Sequence, residues 1–336
     1  MYKFLTTIIA AGMAIASTSC GHAKSEQNSA ISKADTAVTT DIPDFDADSA
    51  YAFIDAQVAF GPRVPGTPAH EKCENYIVSS LRKFGADTVS VQRTTVTAFD
   101  GTRLPVANIM ASFNNGAPRK VLLVAHYDTR PFADEEKEKA RRNTPIDGAN
   151  DGGSGVGVLL EIARQLGQKA PQIGIDMLFT DVEDYGTSEG QDSDGSWCLG
   201  TQYWADNNPY VGKTRPAYGI LLDMVGGRGA VFTREYTSMN LAPDIVNLVW
   251  GTASRSPYSD RFSNDVQGAA MDDHIYVSKT GIPCIDIIEI ANPQTGGFPP
   301  TWHTLADNMD AIDRSTLKAV GQVVTDVLYS EPATQP

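Results

Sequence analysis

The sequence predicts a single α/β domain: a central, mixed and mostly parallel β-sheet flanked by helices on both faces. Two observations carry that reading. Apolar strand-like runs alternate with segments of helical apolar spacing from about residue 45 to about residue 330, the order that builds a sheet covered on both sides. One of those runs, Val121–Ala125, is apolar at every position, as expected of a central strand buried on both faces. No second linker or internal repeat interrupts the stretch. One domain is the simplest organisation.

The elements follow in order. Ala47–Phe60 and Pro68–Phe84 have helical spacing. Thr67 is placed to cap the second, and Pro68 takes its first position, where a missing N–H costs nothing. Thr88–Val96 and Val106–Phe113 alternate as strands do, and Val121–Ala125 follows them. Then come helix Ser154–Leu166 and strands Ile173–Thr180 and Tyr218–Met224. Helix Ala242–Ser254, strand Pro283–Ile290 and the terminal helix Asp313–Tyr329 complete the set.

The formal net charge of -14 argues against nucleic acid as a partner, since phosphate binding needs clustered Lys and Arg. At the N-terminus, Lys3 precedes the apolar run Phe4–Ile15, four small residues and Cys20. This is the pattern of a secretory signal, too short to remain as a membrane span. Cys20-Gly21 resembles the lipid-modified cysteine of bacterial lipoproteins, although Ser17 stands where a bulky aliphatic is usual. The expectation is an exported protein, periplasmic or held at a membrane only through Cys20. Residues 21–44 are rich in Ser, Thr, Ala, Asp and Lys without an apolar period and read as a flexible tether. Residues 45–332 form the expected globular domain. Cys73, Cys198 and Cys284 are odd in number and cannot all pair internally. Cys284, in the mostly apolar run Gly281–Ile290, reads as a small buried hydrophobe.

Acidic and histidine residues gather at or just beyond the ends of the apolar strands, where open α/β sheets place their ligand sites. His126-Tyr127-Asp128 follows one strand, Asp181-Val182-Glu183-Asp184 another and Asp223 a third. Trp302-His303 follows the last across a Pro/Gly loop. A single such residue would be a helix cap, but four clusters of types that bind zinc are hard to attribute to capping. Asp151 sits in Gly148-Ala149-Asn150-Asp151-Gly152-Gly153. Those glycines allow close backbone approach, and no Lys follows them to make a phosphate loop. Glu183-Asp184 offers a metal ligand beside a carboxylate base, the combination that metal-assisted attack at a carbonyl needs. His126 and His274 are weaker candidates, because an isolated His is often only a hydrogen-bonding residue.

With these positions assembled, the sequence resembles the glutaminyl cyclases of the zinc aminopeptidase-like superfamily. The resemblance runs from about Gly61 to Ile312. It includes Gly61–Gly66, Asn108–Phe113, Gly148–Leu160, Phe179–Asp184, Leu222-Asp223-Met224, Asp272-Asp273-His274, Gly281-Ile282-Pro283 and Phe298–Thr304. It implies one zinc on Asp151, Asp184 and His303, with Glu183 as proton shuttle and Asp223 and Asp272 hydrogen-bonding near it. Trp302 and Phe298 would line the pocket for the side chain of an N-terminal glutamine on a peptide or protein. The reaction implied is ring closure to pyroglutamate with release of ammonia.

The same superfamily contains dizinc aminopeptidases, whose ligands would fall on His126, Asp151, Asp184, Asp223 and His303. Three features favour the cyclase. Asp272 stands where aminopeptidases typically carry Ser, Trp302 immediately precedes His303, and Phe298-Pro299 lies just upstream. Two positions depart from the animal cyclases: Asp184 replaces Glu, and Met271 replaces Gln. The Tyr185–Trp197 loop has no counterpart. A non-catalytic binding relative is a third reading, and the retained set Asp151, Glu183, Asp184 and His303 speaks against it.

Overall fold

The computed structural model describes residues 41–191, 193–210 and 212–334. The export signal, Cys20 and the tether up to residue 40 lie outside the described residues. Residues 41–44, read from composition as the end of the tether, instead pack on the domain. Ile42 lies against the core, and Gln322 and Gln165 donate side-chain hydrogen bonds to the carbonyls of Pro43 and Asp44.

The chain opens with α1 (Ala47–Val58) and α2 (Pro68–Lys83), the latter capped by Thr67 Oγ1 accepting from the His70 N–H. Next come β1 (Thr88–Thr97), β2 (Arg103–Phe113), β3 (Lys120–His126), α3 (Gly153–Gln168), β4 (Gly174–Thr180) and α4 (Leu199–Asp206). There follow β5 (Tyr218–Asp223), β6 (Phe232–Arg234), α5 (Tyr236–Leu241), α6 (Pro243–Ser254) and β7 (Phe262–Val266). The last are α7 (Asp273–Lys279), β8 (Cys284–Ile288) and α8 (Arg314–Ser330). The central sheet has the order β1-β2-β4-β3-β5-β8, while β6 and β7 pair separately. β1, β2 and β4 join antiparallel, and β4, β3, β5 and β8 run parallel.

Alternation along the strands explains why both faces are covered. In β3, Val121, Leu123 and Ala125 face the core shared with α1, α3 and α8, and Leu122 and Val124 face Trp204 of α4 and Val277 of α7. Each large side chain buried this way contributes about 1.5–3 kcal/mol of transfer free energy. β3 leads through α3 to β4 on one side, whereas β5 leads on to β8 on the other. Neighbouring strands that send their chains in opposite directions leave a crevice at their C-terminal ends. His126 closes β3 there, and Asp223 closes β5.

Candidate active site

The loop before α3 is held from three directions. Arg63, fully buried, donates to the carbonyls of Tyr127 (3.0 Å), Asp147 (2.6 Å) and Gly148 (2.6 Å). The Asp307 carboxylate accepts from the N–H groups of Asn150 (2.8 Å) and Asp151 (3.1 Å). Gly152 has φ +79°, and a Cβ there would fall 2.8 Å from Asp128 O and 3.0 Å from His126 Cε1. Glycine is required at that position on both counts. At Gly155 a Cβ would meet Leu222 O at 2.1 Å, so α3 seats directly on β5. Asp151 is thereby fixed at the crevice.

Beyond β4 the chain turns sharply. Val182 adopts φ +52°, rare for a β-branched residue. Asp128 holds the turn by accepting from the N–H groups of Glu183 (3.1 Å) and Asp184 (3.2 Å). Cys198 (φ +57°), Met224 (φ +47°) and His303 (φ +54°) share this left-handed conformation. Such residues cost about 1–3 kcal/mol each and persist where their surroundings over-determine them. Of the described non-glycine residues with positive φ, only Asn114 lies outside this region.

Asp151, Asp184 and His303 each present a donor atom within 4.8 Å of the others. His303 Nε2 lies 3.2 Å from Asp184 Oδ1 and 3.8 Å from Asp151 Oδ2. Asp184 Oδ2 is buried without a hydrogen-bond partner among the described residues, an orphan that a cation would satisfy. One imidazole and two carboxylates suit zinc. His126, Asp151 and Asp223 form a second such set that shares Asp151. There His126 Nε2 is 3.1 Å from Asp151 Oδ1 and 3.2 Å from Asp223 Oδ1.

Glu183 lies within 4.8 Å of Asp272 and Cys198, and the Cys198 thiol donates to its Oε1 at 3.4 Å. Burial pushes the Glu183 carboxyl well above the usual range; His126 opposes the shift, while Asp272 and Asp184 add to it. Asp272 is pushed up in the same way, by burial first and then by Asp223 and Asp273. For His303, burial disfavours the charged form, but Asp184 and Asp134 outweigh it and lift the imidazole to about 9.

The eight residues to which the resemblance gives a role line one cavity of about 260 Å³: Asp151, Glu183, Asp184, Asp223, Asp272, Phe298, Trp302 and His303; His126 does not line it. Trp302 stacks on His303 with ring centroids 3.7 Å apart and meets Phe298 at 4.5 Å. Sequence reasoning missed Trp197, which lines the same cavity from the loop that had no counterpart. Its ring faces His303 at 6.1 Å and carries the Arg130 guanidinium 4.8 Å from its centroid. An aromatic in a stretch of Gly, Ser and Asp was the available signal. His274 is not at the cavity: it is fully buried in α7, 3.6 Å from Glu235 Oε2. Among the described residues, Cys73, Cys198 and Cys284 are free and buried.

This sheet, with acids and a histidine converging where its parallel strands end, defines an aminopeptidase-like metalloenzyme of the α/β class. The chain belongs to peptidase family M28, whose model matches residues 108–328. It is 48% identical to Bacteroides thetaiotaomicron glutaminyl cyclase bound to N-acetylhistamine, over 87% of this chain and 100% of that one, with a TM-score of 0.83. Tannerella forsythia glutaminyl cyclase is 50% identical over 86% of this chain and 100% of its own, with a TM-score of 0.82. A Zn-dependent exopeptidase from Parabacteroides distasonis is 52% identical with the same coverage and TM-score.

Proposed function

We propose that this chain is a zinc-dependent glutaminyl-peptide cyclotransferase, which converts the N-terminal glutamine of peptides or proteins to pyroglutamate. The observation that carries the reading is Asp272 in the cavity, within 4.8 Å of Glu183. It gives the base a second carboxyl with which to share a proton, because carboxylates so placed rarely all ionise. The likeness to two glutaminyl cyclases at 48% and 50% identity supports it.

In the reaction the α-amine attacks the γ-carbonyl carbon of its own side chain, a C–N bond closes the five-membered lactam, and the amide nitrogen leaves as ammonia. Glu183 accepts a proton from the attacking amine and returns it to the departing nitrogen, so protons balance. Trp302, Phe298 and Trp197 form the apolar wall that folds the side chain back toward its amine, and ring closure gains from holding the reacting atoms near contact. Asp151, Asp184 and His303 would hold one zinc, which would supply Lewis-acid polarisation of the carbonyl. Lys3, the Phe4–Ile15 run and Cys20 support an exported enzyme with a lipid tether at Cys20; a Cys20→Ser protein should then leave the membrane fraction.

The second reading, a dizinc aminopeptidase, draws on the His126–Asp151–Asp223 set and on the exopeptidase relative. Ammonia release from a peptide beginning with glutamine tests the proposal. A protein that leaves such a peptide unchanged overturns it.

A further inference from the structure

Cys73 and Cys284 pack in the apolar clusters on the two faces of the sheet, whereas Cys198 belongs to no such cluster among the described residues. It is fully buried at the start of α4 and adopts φ +57°. That conformation costs free energy in any residue with a Cβ. Apolar packing therefore gives no account of a thiol at this position.

The surrounding backbone fixes Cys198 against Glu183. The Cys198 N–H donates to the Glu183 carbonyl and the Leu199 N–H to the Val182 carbonyl, both at 2.9 Å. Gly200 comes next, where a Cβ would fall 1.9 Å from Asp181 O. Asn108 closes the same joint: its Oδ1 accepts from the Asp181 N–H at 3.1 Å, and its Nδ2 donates to the Gly200 carbonyl at 2.9 Å. The start of α4 and the turn that carries Glu183 are thus tied into one unit. Across it the thiol donates to Glu183 Oε1 at 3.4 Å. Among the described residues this is the only hydrogen bond that the Glu183 carboxylate accepts, and His126 Nδ1 stands 3.9 Å from Oε2. Glu183 lines the cavity and Cys198 does not, so the thiol reaches the base from behind the cavity wall.

We propose that Cys198 is a positioning residue: its thiol holds Glu183 Oε1 and so leaves Oε2 as the oxygen that exchanges protons with the substrate. A glutamate side chain turns about several bonds, and a rotamer aimed away from the reacting nitrogen is lost to proton transfer. A thiol suits the task, because a weak donor orients the carboxylate without competing strongly for its lone pairs. The proposal deepens the cyclase reading and rests on it.

Two variants of the zinc-loaded full chain test it by rate. Cys198→Ala removes the donor and should lower kcat by about tenfold, with zinc content and KM for a glutamine-initiated dipeptide held. Cys198→Ser restores an O–H donor and should recover most of that rate. A merely structural cysteine predicts the reverse order, since a hydroxyl costs more to bury than a methyl group. A folded Cys198→Ala protein with the parent kcat overturns the proposal. So does a folded, zinc-replete Cys198→Ser protein that is as slow as Cys198→Ala or slower. Infrared spectroscopy reads the hydrogen bond itself and needs no turnover. The S–H stretch of Cys198, isolated as the difference between parent and Cys198→Ala, should shift when Glu183 is replaced by Gln. A stretch that stays in place overturns the proposal. Where Cys198→Ala does not fold, the difference between parent and Glu183→Gln reads the same shift. A parent that fails to cyclise glutamine overturns the reading on which the proposal rests, whatever the thiol band does.

Discussion

His303 is tied to Asp134: its Nδ1 lies 3.1 Å from Asp134 Oδ1, while Arg130 grips both oxygens of the same carboxylate. Arg130 also donates to the carbonyls of Asp184 and Gly186 at 3.1 Å each, so one guanidinium braces two elements of the metal set. The Nδ1–H to Asp134 contact leaves Nε2 as the free ligand nitrogen. Asp134→Ala should therefore weaken zinc affinity by about 10–100-fold. Competition with a chelator measures it, and an unchanged affinity would show Asp134 to be a surface partner only.

Glu183→Gln preserves shape while removing the proposed proton carrier. Turnover should fall by about 10²–10⁴-fold with zinc still bound. Loss of zinc along with activity would make Glu183 a ligand and reverse the roles assigned to Glu183 and Asp184.

Trp302 separates a substrate wall from a core residue. It is half-buried at the cavity and stacks on His303. Trp302→Ala should cut cyclisation strongly while leaving zinc content and melting temperature nearly unchanged. Removing a core tryptophan would instead cost about 3–5 kcal/mol of stability. Calorimetry beside the activity assay distinguishes the two.

Much of this site was legible because most of its candidate ligands stand at or beyond strand ends, where an apolar run stops and an acid begins. The parts that were not legible have physical reasons. Asp134 and Arg130 flank a segment dense in Glu, Lys and Arg, which reads as solvated surface until His303 arrives beside it from far along the chain. α5 and α7 span only six and seven residues, too short to show a helical period. β6 has three residues and leaves no alternation to detect.

Acid stability should depend on Glu235. Burial raises its carboxyl, but His274 and the N–H groups of Ser238 and Thr237 outweigh that and lower it from 4.5 to about 2. A carboxyl depressed in the fold stabilises it above the unfolded value and loses that contribution as pH falls through the folded one. The contribution is thus complete above about pH 4.5 and disappears toward pH 2. Glu235→Gln should destabilise the protein at neutral pH by about 1–3 kcal/mol. The gap from the parent should close in denaturant titrations at acid pH; a gap independent of pH would contradict the assignment.

The most direct measurement offers the zinc-loaded protein a glutamine-initiated dipeptide and a leucine amide together, with the metal content of the same sample determined. The account predicts pyroglutamyl peptide and ammonia from the first, an intact leucine amide, and one zinc per chain. Release of free leucine, with the glutamine peptide left uncyclised and two zinc ions tightly bound, would contradict it.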